Sequence, residues 1–248
     1  MALFSAVYRS AALSHDTGIN IILPDNCPTE DIPTVYLLHG MHGDHTSWCR
    51  KTSIERYAQE RGIAVVMPDG ENSFYQDMKY GKKHFTYVAD ELVDYTRRVF
   101  RLSRKREKTF ICGLSMGGYG AFLLALRRPE QYAACASLSG CVDMVDILRD
   151  CNWLDEAVGI WGEDYRTCTK DTDSDLKWLI STFPQDKPKP RMFSCCGRED
   201  SLFANNLAFR DFMADYPFDF TFVEDAGVHD WAFWDKWVAP AIDHMIRN

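Results

Sequence analysis

The sequence predicts an α/β protein, a mostly parallel central sheet flanked by helices on both faces. Three observations carry that expectation. Short apolar, β-rich runs recur at 34–40, 63–69, 108–113, 134–140, 191–197 and 219–225. Segments of helical character fall between them, at 53–61, 86–100, 118–128, 203–214 and 231–246. A glycine-flanked serine lies where one strand ends and a helix begins, in "FICGLSMGGYGAF" (110–122).

Each predicted strand is apolar nearly throughout, as expected where both faces are covered. Alternation with helices calls for right-handed crossovers and parallel pairing. The opening stretch, "FSAVYRSAALSHDTGINIILP", holds two runs of alternating character, which predicts an antiparallel hairpin at the first edge of the sheet with Gly18 near its turn. About fifty residues, Cys141 to Pro190, separate two predicted strands. A structureless loop of that length is improbable in a compact domain, so 141–190 is expected to be a small helical insertion or lid within a single domain spanning 1–248. There is no internal repeat and no low-complexity tract.

With 248 residues, 46% of them hydrophobic, the chain can bury a substantial core. Its formal charge of −8 and the lack of a basic stripe longer than "RKREK" (104–108) argue against nucleic acid as a partner. No run of ~18 uncharged apolar residues occurs, and the start lacks a basic segment followed by a long apolar stretch. The expectation is a cytoplasmic protein with no membrane partner. The nine cysteines are odd in number and include no CxxC pair, which fits reduced thiols better than a disulfide framework or zinc ribbon.

Gly113-Leu114-Ser115-Met116-Gly117 fits the G-x-S-x-G turn on which α/β-hydrolases mount their nucleophile. The glycines are needed because neighbouring turns crowd a strained serine backbone. The same turn directs the Met116 N–H at the place where an oxyanion would form. A serine hydroxyl needs a base, and the base an orienting acid. Asp200 in "CGREDSLF" and His229 in "AGVHDW" follow in the order Ser, Asp, His, each on a loop beyond a predicted strand. Glu199 and Asp225 are rival acids. His15, His84 and His244 lie in polar contexts that predict exposed rings.

In "LLHGMHGDHTSW" (37–48) His39, His42 and His45 are spaced by three, which raises a metal site. A run with two glycines directly after a buried strand suits an oxyanion-hole loop better, with Gly40 turning the chain and the Met41 N–H as the second donor. No metal and no cofactor are therefore expected.

Together, "DIPTVYLLHGMHGDHTSW", "SRKREKTFICGLSMGGYGA", "CGREDSLFANN" and "AGVHDWAFWDKWV" resemble the esterase D-like branch of the α/β-hydrolases, nearest to the tributyrin esterases and bacterial feruloyl esterases. S-formylglutathione hydrolases are more distant members. The resemblance implies Ser115 as nucleophile, His229 as base then acid, Asp200 as orienting acid, backbone donors at Met41 and Met116, and a pocket shaped by the insertion after Cys141. It also implies a small ester as substrate, an acylated sugar among the candidates, and a homodimer or homotetramer, for which the aromatic C-terminal segment could supply a face, although helices of this kind usually pack on their own sheet. Gly40, Trp48, Gln76, Trp161 and Trp231 are the candidate substrate-binding residues.

Overall fold

A computed structural model describes residues 1–247. Eight strands form one sheet: β1 (Ala2–Ser10), β2 (His15–Leu23), β3 (Thr34–Leu38), β4 (Ala64–Pro68), β5 (Thr109–Leu114), β6 (Ala134–Leu138), β7 (Arg191–Gly197) and β8 (Phe220–Asp225). Their order is β1-β2-β4-β3-β5-β6-β7-β8. From β3 to β8 every pairing is parallel, while β2 joins β1 and β4 antiparallel. All six expected strands are present within a few residues of the predicted limits. The opening hairpin also forms the sheet edge.

One detail of that hairpin differs. The turn falls between Ser10 and His15, with Ser14 at φ 60°, and Gly18 lies inside β2 opposite Val7. Gly18 serves packing: a Cβ there would stand 2.3 Å from the His45 ring.

The helices are α1 (Ser47–Lys51), α2 (Ile54–Arg61), α3 (His84–Thr86), α4 (Leu92–Phe100), α5 (Met116–Arg127), α6 (Met144–Ile147), α7 (Leu154–Trp161), α8 (Leu176–Ser181), α9 (Phe203–Met213) and α10 (Trp231–Ile246). A π-helical turn at Tyr87–Glu91 joins α3 to α4. Strand residues alternate between two cores. Tyr36, Leu38 and Ile111 face one core with α4, α5 and α9, and Val35, Leu37 and Cys112 face the other with α2 and α10. The apolar stripe of α10 (Phe233, Trp234, Val238, Ala241, Ile242, Met245) is buried on its own sheet, the usual packing for such a helix.

Residues 141–190 carry α6, α7 and α8. They are tied to the segment after β4 by hydrogen bonds from the Lys79 and Tyr80 amides to the Ile160 and Gly159 carbonyls, both 2.9 Å. Phe74, Trp153 and Trp161 pack between the two segments, with the Phe74 and Trp153 rings stacked at 4.8 Å.

The histidine expectations need correction. His15 and His244 are half-buried, and His84 is fully buried, its Nε2 3.6 Å from a Glu71 carboxylate oxygen. The polar sequence around His84 misled because Glu71, Lys82 and His15 fold over the ring as a charged cover. Burial pushes the His84 imidazole down to about 4, against about 6.5 in an unfolded chain. Between those values the unfolded chain takes up a proton that the folded protein excludes. The stability supplied by neutral His84 is therefore complete above pH ~6.5 and is lost as the pH falls toward 4. Urea unfolding at pH 7 and pH 5 should show wild type losing on the order of 1–2 kcal/mol more than His84→Asn over that interval.

Candidate active site

Parallel strands place their carboxyl ends, and the loops that follow, along one edge of the sheet. Ser115 follows β5, Asp200 follows β7 and His229 follows β8, so three residues far apart in sequence meet at that edge. His229 Nε2 lies 3.0 Å from Ser115 Oγ, and His229 Nδ1 lies 2.9 Å from Asp200 Oδ2 and 3.1 Å from Oδ1. Asp200 accepts hydrogen bonds only, so Nδ1 carries the imidazole proton and the Nε2 lone pair faces the serine hydroxyl.

Asp200 is nearly inaccessible, and burial alone would raise its pKa. Hydrogen bonds from His229 and from the Leu202 amide, 2.8 Å from Oδ1, outweigh the burial and hold the carboxyl below its ordinary value. The two rival acids are occupied elsewhere. Glu199 accepts the Gly227 amide at 2.7 Å, and Asp225 binds Lys236 and the Trp237 indole N–H. The Glu199 contact joins the acid loop to the histidine loop. At the same junction Gly197 and Gly227 meet so closely that a Cβ on Gly197 would lie 2.1 Å from the Gly227 carbonyl oxygen.

Ser115 sits at φ 53°, ψ −118°, a strained conformation for a residue with a side chain. Its surroundings enforce it. The Ser115 amide donates to the Leu138 carbonyl at 2.9 Å, and its carbonyl accepts from the Gly118, Tyr119 and Cys141 amides at 3.0–3.2 Å. A Cβ on Gly113 would stand 2.3 Å from the Gly117 carbonyl oxygen, and one on Gly117 would stand 2.6 Å from the Leu38 and His39 carbonyl oxygens.

Met116 opens α5, so its amide lies at the positive end of that helix. The Met41 amide has no hydrogen-bond partner within the protein among the described residues. Gly40 brings this loop close, since a Cβ there would lie 3.3 Å from Ser115 Cβ. His39 fixes the loop. Its Nε2 accepts the Gly70 amide at 2.8 Å, which leaves the proton on Nδ1 for the Gly40 carbonyl at 2.7 Å. Burial lowers the pKa of this ring and keeps it neutral. The Tyr75 hydroxyl donates to the His39 carbonyl at 2.9 Å. His45 and His39 both lie near Asp69, 3.7 Å and 3.8 Å away, while His42 is exposed.

A cavity of about 250 Å³ opens beside Ser115, lined by the 40–43 loop, Leu114, His229, Trp231, Trp234 and Lys51. Of the candidate substrate-binding residues, Gly40 and Trp231 line it, and Trp48, Gln76 and Trp161 do not. Trp48 is fully buried, donates its indole N–H to the Leu38 carbonyl at 3.1 Å and packs edge-to-face on Trp231. Gln76 is buried and donates to the Tyr119 hydroxyl at 2.6 Å. Trp161 belongs to the Phe74 cluster. No residue of 141–190 lines this cavity either. A larger one, about 440 Å³, opens between that segment and α9 but holds none of Ser115, Asp200 and His229.

Sequence reasoning missed His39 as a latch and Lys51 as a cavity wall. Trp234, named with Trp231 from the sequence as an aromatic near the site, does line the cavity, three residues from Trp231 on the same face of one helix.

An esterase family model matches residues 10–244. The chain belongs to this esterase family. An acetyl esterase of Caldicellulosiruptor saccharolyticus is 33% identical to it over 264 residues, which cover 100% of this chain and 99% of that protein. FphF, a fluorophosphonate-binding serine hydrolase of Staphylococcus aureus solved with substrate bound, superposes with a TM-score of 0.92 at 34% identity, over 100% of this chain and 99% of FphF. The S-formylglutathione hydrolase FrmB of the same organism gives a TM-score of 0.86 at 32% identity, over 99% of each chain. This esterase accordingly has the α/β-hydrolase fold and is a serine hydrolase acting on carboxylic ester bonds.

The backbone clash at the serine turn yields a prediction. Gly113→Ala should lower the unfolding free energy by about 3 kcal/mol, because a packed carbonyl rather than a flexible side chain must move. Denaturant titration would measure the loss.

Proposed function

We propose that the esterase hydrolyses short-chain acyl esters through a covalent acyl-serine intermediate, with Ser115 as nucleophile, His229 as general base and acid, and Asp200 as orienting acid. The observation that carries this reading is the continuous chain from Ser115 Oγ through both ring nitrogens of His229 to the Asp200 carboxylate, with neither link longer than 3.0 Å.

Ser115 Oγ attacks the ester carbonyl while Nε2 takes its proton, and the carbonyl oxygen gains negative charge. Met41 and Met116 are the proposed donors for that oxygen, and a donor of this kind typically supplies ~3 kcal/mol of transition-state stabilisation. Histidinium then protonates the departing alkoxide, and water repeats the sequence to free the acid and regenerate Ser115. Side chains, backbone and water cover every step, so the reading calls for no cofactor. Short acyl groups are supported by the modest cavity and by likeness to an acetyl esterase. Acetylated or feruloylated sugars stay within the proposal, Trp231 being the aromatic wall available to stack on a ring.

A thioester as substrate is the second reading, supported by the full-length likeness to the S-formylglutathione hydrolase. No helix among the described residues is long and apolar enough to cross a membrane. A cytoplasmic enzyme, and a homodimer or homotetramer, remain proposals that rest on the sequence.

Ser115→Ala should reduce turnover of para-nitrophenyl acetate and butyrate by about 10⁴-fold or more. Equal rates in mutant and wild type would refute the nucleophile assignment, and no turnover by either would favour a silent hydrolase fold used for binding. Adding one thioester to the panel separates the two substrate readings by their relative kcat/KM.

A further inference from the structure

The cavity beside Ser115 is lined by backbone, by apolar and aromatic side chains, by the Ser115 hydroxyl, by two imidazoles and by one amine. Lys51 is the one lysine, arginine, aspartate or glutamate among the lining residues. It ends α1, and its ammonium stands over the Trp231 ring, 4.9 Å from the centroid. An aromatic face attracts a cation and limits the directions in which the side chain can point. Trp231 is itself held edge-to-face by Trp48 at 5.3 Å and Trp234 at 5.2 Å, so the lysine rests on a braced surface.

No carboxylate forms an ion pair with Lys51 among the described residues. Three nearby acids accept backbone amides, while Glu55, four residues on, forms no ion pair with Lys51 among the described residues. Asp44 accepts the Thr46 amide, Asp235 the Ser53 amide and Asp230 the Phe233 amide. In a chain of net charge −8 an unpaired cation at the mouth of the reactive cavity is an exception to the surrounding field.

Its position relative to the reaction follows from proton transfer. His229 must deliver its proton to the leaving oxygen, so the leaving group lies on the His229 side of Ser115. Trp231 is two residues beyond His229, and Trp234 packs against the His229 ring at 5.0 Å. Lys51 stands over this wall.

We propose that this esterase acts on esters whose leaving group carries an anionic substituent, a carboxylate in the simplest case, and that Lys51 seated on Trp231 is the residue that selects it. The inference rests on the roles proposed above for Ser115 and His229. An exposed ion pair of this kind contributes up to about 1 kcal/mol, or roughly fivefold in kcat/KM.

The test compares para-acetoxybenzoate with its neutral analogue para-acetoxybenzamide, using para-nitrophenyl acetate to report esterase activity by itself. The expected result is that wild type favours the anionic ester. The ratio of the two kcat/KM values should fall about fivefold in Lys51→Met through a rise in KM for the benzoate, persist in Lys51→Arg, and shrink as salt rises from about 20 mM to about 500 mM. A ratio that is the same in wild type and Lys51→Met, with para-nitrophenyl acetate still hydrolysed, would overturn the Lys51 assignment alone. Failure of wild type on all three esters would overturn the esterase reading and this inference with it.

Discussion

The close crossing of backbone at the turn from β5 into α5 is the constraint on which the site depends. Ser115 is held at φ 53° by hydrogen bonds to its own amide and carbonyl, and the flanking glycines let the strand end, the first helical turn and the end of β3 pass within contact distance. Strain of this kind persists only where the surroundings over-determine it. Here the Leu138 carbonyl comes from β6 and the Cys141 amide from just beyond it, so the neighbouring strand helps to fix the serine. The result is a hydroxyl raised above the sheet edge, with a helix N-terminus directly behind it.

The same economy of space governs the facing loop. Its position is set less by its glycines than by His39, a buried neutral ring that accepts from one loop and donates to another. Tyr75, which adopts a positive φ in the segment after β4, adds a second tie to the His39 carbonyl. Gln76 continues the chain of contacts through Tyr119 to the Ser174 carbonyl in the 141–190 segment. That segment thus braces the site from behind, through the loop it packs on, instead of lining the cavity.

Aromatic packing shapes the remaining wall. Trp48, Trp231, Trp234 and His229 meet at interplanar angles near 90°, the edge-to-face arrangement that ring quadrupoles favour. This set supports the histidine on one side and presents Trp231, with Lys51 over it, on the other. Only part of the tryptophan content therefore faces the cavity. The indoles of Trp48 and Trp161 are packing elements whose composition alone looked like binding surface.

The sequence by itself determined the succession of strands and of the main helical segments, because runs buried on both faces must be apolar and helical segments recur between them. It also pointed to Ser115 and His229 and narrowed the acid to Asp200 and two rivals, since each follows a predicted strand at its carboxyl end. Only the tertiary structure decided what depends on contacts between distant segments. It distinguished Asp200 from Glu199 and Asp225, which differ in partners and hardly in local sequence. It buried His84 under charged neighbours that look solvent-exposed in one dimension, moved the hairpin turn away from Gly18, and set Lys51 over Trp231 across 180 residues of chain. Periodicity reports which face of an element is covered, but a side chain's partner on another element is fixed only when the two surfaces meet.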